Sequence, residues 1–377
     1  MPLALGQVAV VGGGINGLCI AWQLAKSGWA VELFERGRCL AQTSSASTKL
    51  LHGGLRYLEQ GHLALVAESL RERARWLKDV PEHAHWLHLL LPIYSHQHRA
   101  AWQWRAGLGL YDGLALGQLP GFARWLRPDQ LLEIYPELPT QGLKGGWQFW
   151  DGQMDEQALG RWVLQQAQQA GVLIHEGQEV MRLRPDGTLW IHAGAEEQPH
   201  NQLRFDWVVN ACGPWACQLL AQSGIDTDVR LDLVRGSHLL VPPPLGQVLP
   251  SHGLFVEVPS SKRIAFLLPY QGQLLVGTTE ETHNLQDPIE PSQRERELLL
   301  DLVRLHVPSW ESQARAHGSW FAGLRPIVHS SADVSKASRD AAFRRNQRVI
   351  TVFGGKWTTA RALAERLTSI SPFNGLN

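Results

Sequence analysis

Four cysteines in 377 residues form no CxxC pair and share no zinc-ligand spacing with histidine. Cys19, Cys39, Cys212 and Cys217 therefore read as buried thiols in a reducing, cytosolic chain, and no metal is expected. Net charge is also absent, because 35 basic residues cancel 35 acidic ones. No bulk field draws such a chain to nucleic acid or to an acidic membrane, so any anion must be captured by a local cluster. No apolar run reaches the roughly 18 residues of a membrane-spanning helix. The first strand begins by Val8 with no basic and apolar leader before it, so no signal peptide is expected. Internal repeats and low-complexity tracts are missing too. What is present is 44% hydrophobic and 19% charged residues, with 16 tryptophans. That balance suits a soluble globular protein long enough for one large or two interleaved domains.

The opening stretch QVAVVGGGINGLCIAWQLAKSGWAVELFER carries the most information. Val8 to Val11 read as a buried parallel strand, and Gly12-Gly13-Gly14-Ile15-Asn16-Gly17 supplies GxGxxG at its carboxyl end. A helix through Ile20 and Leu24 follows, ended by Gly28, and a second strand runs to Phe34 with Glu35 at its tip. Gly12 permits the tight turn, Gly14 lets backbone approach a pyrophosphate, and Gly17 lets the helix lie against the strand. The helix N-terminus offers free N–H groups and a positive dipole end to phosphate. Glu35, about 20 residues after the glycines, suits a carboxylate that accepts from ribose hydroxyls. Strand, helix and acid together point to a dinucleotide, NAD or FAD.

Further along, residues 62–80 read as an amphipathic helix with a solvated face. Leu87 to Leu143 read as cap helices and loops. Met154–Gly171 reads as a helix, VLIHEGQEVMRL as the strand after it, and Phe205–Gly224 as strand, glycine turn and helix. From Leu231 to Arg325 short strands alternate with Pro, Gly and polar turns, as in an antiparallel sheet. RVITVFGGKWTTARALAERL then returns to strand, glycine turn and helix. The expected fold is α/β: a Rossmann-type domain from 1–85, 145–230 and 326–377, with an inserted antiparallel-sheet (α+β) substrate and cap domain from 86–144 and 231–325. A dinucleotide unit interrupted in this way, and closed by late segments, favours a flavin over NAD, because a flavin must extend across to a second domain.

The blocks VVGGGINGL, TSSASTKLLHGGLRYLE, VVNACGPWA, RGSHLLVP, LLPYQGQLLVGTTE, GLRP, SRD and FGGKWTT, in this order, resemble FAD-dependent glycerol-3-phosphate dehydrogenase, a branch of the D-amino-acid oxidase-like flavoproteins. The resemblance implies FAD held by Gly12, Gly14, Asn16, Gly17 and Glu35 at its ADP half. It implies Ser44, Ser45, Lys49, His52 and Gly53 along the pyrophosphate and ribityl chain, Ala211 and Gly213 beside the nucleotide, and Gly354, Gly355, Lys356 and Thr358 at the flavin edge. Arg56, Arg325, Arg339 and Lys356 would gather around the substrate with Tyr57 and His238. Such a cation cluster suits a phosphomonoester carrying close to two charges.

By the same resemblance, the reaction is oxidation of sn-glycerol 3-phosphate to dihydroxyacetone phosphate. Hydride leaves C2 for flavin N5, and electrons pass to a quinone or another acceptor, with peripheral membrane association implied by the family alone. His52 is the first candidate for the base, because a histidine titrates near working pH, and His238 is the second. Two other readings stay open: a related flavin enzyme acting on an amino acid, amine or 2-hydroxy acid, and a non-catalytic flavin-binding protein. Against the family pattern, a further C-terminal helical domain is not expected, the segment between GLRP and SRD is short, and GTTE stands for GTTD.

Overall fold

The computed structural model describes residues 4–373 except 96, 116, 194–200, 259, 260, 262 and 330–340; the side chains of residues 56, 60 and 193 also lie outside the described set. The chain opens with β1 (Gln7–Val11), α1 (Ile15–Lys26) and β2 (Ala30–Glu35). These start a six-stranded sheet whose order is Ala342–Asn346, Val349–Phe353, Trp207–Asn210, β1, β2, Leu173–Glu176. Every neighbouring pair is parallel except the first, which is a hairpin.

Alternation along β1 explains its burial on both sides. Val8 and Val10 face a core built with α1, the helix Glu156–Gln169 and the helix Ala360–Thr368. Ala9 and Val11 face a second core, shared with a three-stranded sheet and the helix Ala216–Gln222. An unbroken apolar run with helices on one face and further structure on the other is what a parallel strand needs.

After β2 come β3 (Leu50–Leu51), α2 (Leu63–Asp79), β4 (Ala84–Tyr94) and α3 (Ala101–Leu114). β3 and β4 belong to a ten-stranded sheet, mostly antiparallel, that also takes Leu143–Met154, Leu231–Val241, Gly253–Glu257, Ile264–Tyr270, Gln273–Gly277 and Ser319–Val328. One of its faces packs on α2 and α3, and the other on the helices Gln293–His306 and Glu311–His317.

Several expectations are corrected. Leu87–Tyr94 is not cap helix or loop but most of β4, and residues 145–154 lie in this second sheet rather than with the cofactor strands. Both segments are largely buried on two faces, the second with Gln148, Asp151 and Gln153 among its buried residues, so neither shows the period of two that marks a half-buried strand. VLIHEGQEVMRL is two strands in different sheets, broken at Gly177, whose φ of 73° favours glycine. Two helices interrupt the strand-rich region before Arg325. The helix expected over 62–80 is α2, preceded by a 3₁₀ turn, Leu55–Gln60, with Gly61 at φ 75° between them. Among the described residues no helix is long and apolar enough to cross a membrane, and no cluster of His, Cys, Asp and Glu could hold a metal ion.

Candidate functional site

At the carboxyl end of β1 a cleft of about 1220 Å³, including its mouth, runs between the tip of β2, the turn 211–215 and the turn 354–357. Its floor is the glycine turn. A Cβ at Gly12 would lie 2.6 Å from the Ala211 carbonyl oxygen, and one at Gly17 would overlap the Gly12 carbonyl. A Cβ at Gly14 would meet only the Ser44 hydroxyl, at 3.3 Å, and otherwise enter the cleft. Two of the three glycines thus let helix and strands close up, while the third leaves the N-terminus of α1 accessible.

That N-terminus has no acidic residue in its first turn and no side-chain cap at Gly14. The Ile15 N–H donates to Ser44 Oγ at 2.9 Å, and Trp357 Nε1 donates to the Ser44 carbonyl at 2.9 Å. The loop over the helix end is therefore tied to the far end of the chain. Glu35 takes N–H groups from Gly13 (2.7 Å) and Gly37 (2.9 Å), which fixes its carboxylate at the cleft. Beside it the Arg36 guanidinium lies 4.3 Å over the Trp215 ring. Burial, with the Glu35 charge nearby, pushes the Cys212 thiol up to about 12 and keeps it inert.

Of the residues singled out in the sequence, Gly12, Gly14, Asn16, Glu35, Ser44, Ala211, Gly213, Gly354, Gly355 and Lys356 line this cleft. Gly17 serves its packing from behind. Ser45, Lys49, His52, Gly53 and Thr358 do not line it. Ser45 Oγ donates to Gln42 O, and the Thr358 carbonyl is held by Trp76 Nε1. Lys49 is buried and committed to an ion pair with Glu156, which also accepts from the Ser47 hydroxyl. Burial draws the lysine down and the glutamate up, and each holds the other charged. A basic residue beside serines reads as an anion contact in sequence, but its carboxylate partner, far along the chain, claims it in the fold. Arg339 and the Arg56 side chain lie outside the described residues.

Of the described substrate candidates, Lys356 lines the cleft, and Tyr57, His238 and Arg325 do not. Lys356 stands on its wall, with Nζ 3.4 Å from Ser69 Oγ and 4.6 Å above the Tyr57 ring. Arg325 adjoins the wall residue Pro326; it donates to Thr278 Oγ1 at 2.6 Å and lies 3.6 Å from Glu280. His238 is fully buried, 3.0 Å from Thr48 Oγ1 and stacked on Phe321 at 4.8 Å. Burial, then the charges of Arg325 and Lys49, hold its pKa well below the usual value, so the imidazole is neutral. His52 is half-buried just after β3.

Sequence reasoning missed Arg36, Trp215, Gln42, Thr43, Glu179, Val180 and Trp357 as cleft residues. Arg36 could have been suspected from its place after Glu35. Glu179 and Val180 carry no motif, and only the packing of their strand against the cofactor sheet brings them there.

The FAD dependent oxidoreductase (DAO) family profile matches residues 7–370. The chain belongs to this family of FAD-dependent oxidoreductases. Among its relatives, glycerol-3-phosphate dehydrogenase of Pseudomonas aeruginosa is 34% identical, over 99% of this chain and 73% of that protein. Glycerol-3-phosphate dehydrogenase of Bacillus halodurans, solved in complex with FAD, superposes with a TM-score of 0.73 at 24% identity, covering 97% of this chain and 64% of that one. The FAD-bound L-alpha-glycerophosphate oxidase of Mycoplasma pneumoniae gives 0.76 at 19% identity, covering 98% and 95%. The cleft fits the family's cofactor. Its floor admits a pyrophosphate at Gly14, the α1 N-terminus supplies N–H donors, Glu35 can accept from ribose, and the buried Asn16 Oδ1 has no hydrogen-bond partner in the protein.

Proposed function

We propose that the chain oxidises sn-glycerol 3-phosphate to dihydroxyacetone phosphate and passes the electrons to a quinone or another acceptor, with attachment to a membrane surface as the setting. One observation carries the reading. Lys356 stands on the wall of the cofactor cleft, and Arg325 directly precedes the wall residue Pro326, in a protein with no net charge. A phosphomonoester needs that second cation, whereas a carboxylate is satisfied by one arginine fork. The similarity to the P. aeruginosa glycerol-3-phosphate dehydrogenase supports the same substrate class.

In this reading Gly12, Gly14 and the α1 N-terminus hold the pyrophosphate, and Glu35 the ribose. When bound, FAD supplies the two-electron acceptor chemistry. Arg325 is aimed by Thr278 and Glu280 and binds the substrate phosphate together with Lys356. The proton of the secondary alcohol goes to His52. His238 is the poorer base, because burial between two cations already disfavours its protonated form, and it serves to position Thr48. A panel assay with a dye acceptor tests the reading. Turnover is expected with sn-glycerol 3-phosphate and not with glycine, other amino acids or 2-hydroxy acids; the reverse preference would overturn it.

A further inference from the structure

Behind the His52–Tyr57 turn lies a polar chain that takes no part in the cleft. Arg73, on α2 and fully buried, donates from Nη1 to Asp151 Oδ1 at 2.8 Å. Tyr111, on α3, donates its hydroxyl to Asp151 Oδ2 at 2.8 Å and accepts the Gly53 N–H at 2.8 Å. The Gly152 N–H adds a further bond to Asp151, at 3.1 Å. Burial and the Asp151 charge keep the phenol protonated, so its direction is set: it gives to Asp151 and receives from Gly53. Two helices and a strand of the second sheet thus converge on one backbone amide.

Such a network is a poor source of stability, since a buried ion pair costs nearly as much to desolvate as it returns. What it does well is specify one geometry. The geometry specified here is that of the turn. A Cβ at Gly53 would lie 2.6 Å from Leu70 and 2.8 Å from the Tyr111 ring, so the amide has no room to drift. Gly54 follows in the left-handed region at φ 78°, with the Tyr57 ring packed directly on it. The Tyr57 ring carries the Lys356 ammonium 4.6 Å above it, and Lys356 is on the cleft wall.

We propose that Tyr111, backed by Asp151 and Arg73, is a positioning residue: its hydroxyl fixes the Gly53 amide and thereby the places of His52, Tyr57 and the Lys356 ammonium. The proposal rests on the reading of this turn as part of the substrate site. Tyr111→Phe removes the hydroxyl and leaves the ring packing, and it is examined in the FAD-loaded protein. FAD content is expected to be unchanged, with hydrogen exchange at residues 53–57 faster by about tenfold and that of β1 and α1 unaltered. For sn-glycerol 3-phosphate, kcat is expected to fall about tenfold while KM stays within about twofold. Unchanged exchange at the turn overturns the proposal. Faster exchange with unchanged kcat also overturns it, because Tyr111 is then structural only. If the wild type does not turn over sn-glycerol 3-phosphate, the substrate reading fails, while the exchange result still decides whether Tyr111 fixes the turn. Should the variant not fold, the wild-type Gly53 amide decides: exchange as slow as that of β1 supports the clamp, and exchange as fast as that of exposed loops refutes it.

Discussion

Gly14→Ala separates cofactor recognition from folding. The residue has φ −72° and ψ 173°, an extended conformation open to alanine without strain. Its new methyl meets only Ser44 Oγ at 3.3 Å, a contact that a shift of a few tenths of an ångström relieves. The apoprotein should therefore keep its stability to within about 1 kcal/mol, the loss of glycine's freedom in the unfolded chain offsetting the crowding. The same methyl stands in the cleft over the α1 N-terminus and keeps a pyrophosphate from the N–H groups there. Loss of one charge-assisted hydrogen bond costs about 1.5–3 kcal/mol, which is roughly a tenfold to hundredfold rise in the FAD dissociation constant. Titration of FAD into the apoprotein, with thermal unfolding of the same sample, reads both quantities. Gly12→Ala is the contrast: its Cβ would sit 2.6 Å from the Ala211 carbonyl, and φ is 107°, so fold and FAD binding should fail together. Gly14→Ala protein that binds FAD as tightly as wild type would show that this floor is not the cofactor cradle.

Glu35→Ala should weaken FAD retention by about tenfold on gel filtration, since a ribose acceptor is lost while the backbone path of β2 remains. Arg325→Ala should keep FAD bound yet lower turnover of sn-glycerol 3-phosphate by at least about tenfold; unchanged turnover removes Arg325 from the substrate site. His238 gives a pH signature. Its folded pKa lies below the unfolded value of about 6.5, so below that pH the unfolded chain binds the extra proton and stability falls as pH falls. The slope is up to about 1.4 kcal/mol per pH unit for one proton. His88, held down to about 4 by burial and by His252, acts in the same direction between those limits. Urea unfolding from about pH 7 to about pH 5 should show this slope, and His238→Asn should reduce it.

The βαβ unit and its site were legible because glycine geometry and a carboxylate at fixed distance are local signals. Of the motif residues, Gly12, Gly14 and Glu35 line the cleft, and Gly17 closes the packing behind it. β4 and the strand Leu143–Met154 were not legible, since a strand covered on both faces shows no alternation and a short apolar run is ambiguous. The helix Gln293–His306 carried a readable start, the Ser292–Glu295 capping box, inside a region whose proline and glycine turns read as strands. Side-chain partners were the least legible. Lys49 finds Glu156, Arg36 finds Trp215, and Tyr111 finds both Asp151 and Gly53, each across a separation that no local pattern encodes.

Anaerobic mixing of the FAD-loaded protein with sn-glycerol 3-phosphate, with the visible flavin band followed, reads the proposed oxidation without any added acceptor. Loss of that band is expected, and Arg325→Ala should abolish or strongly slow it. A band that persists with sn-glycerol 3-phosphate but bleaches with an amino acid, an amine or a 2-hydroxy acid would contradict the proposed oxidation.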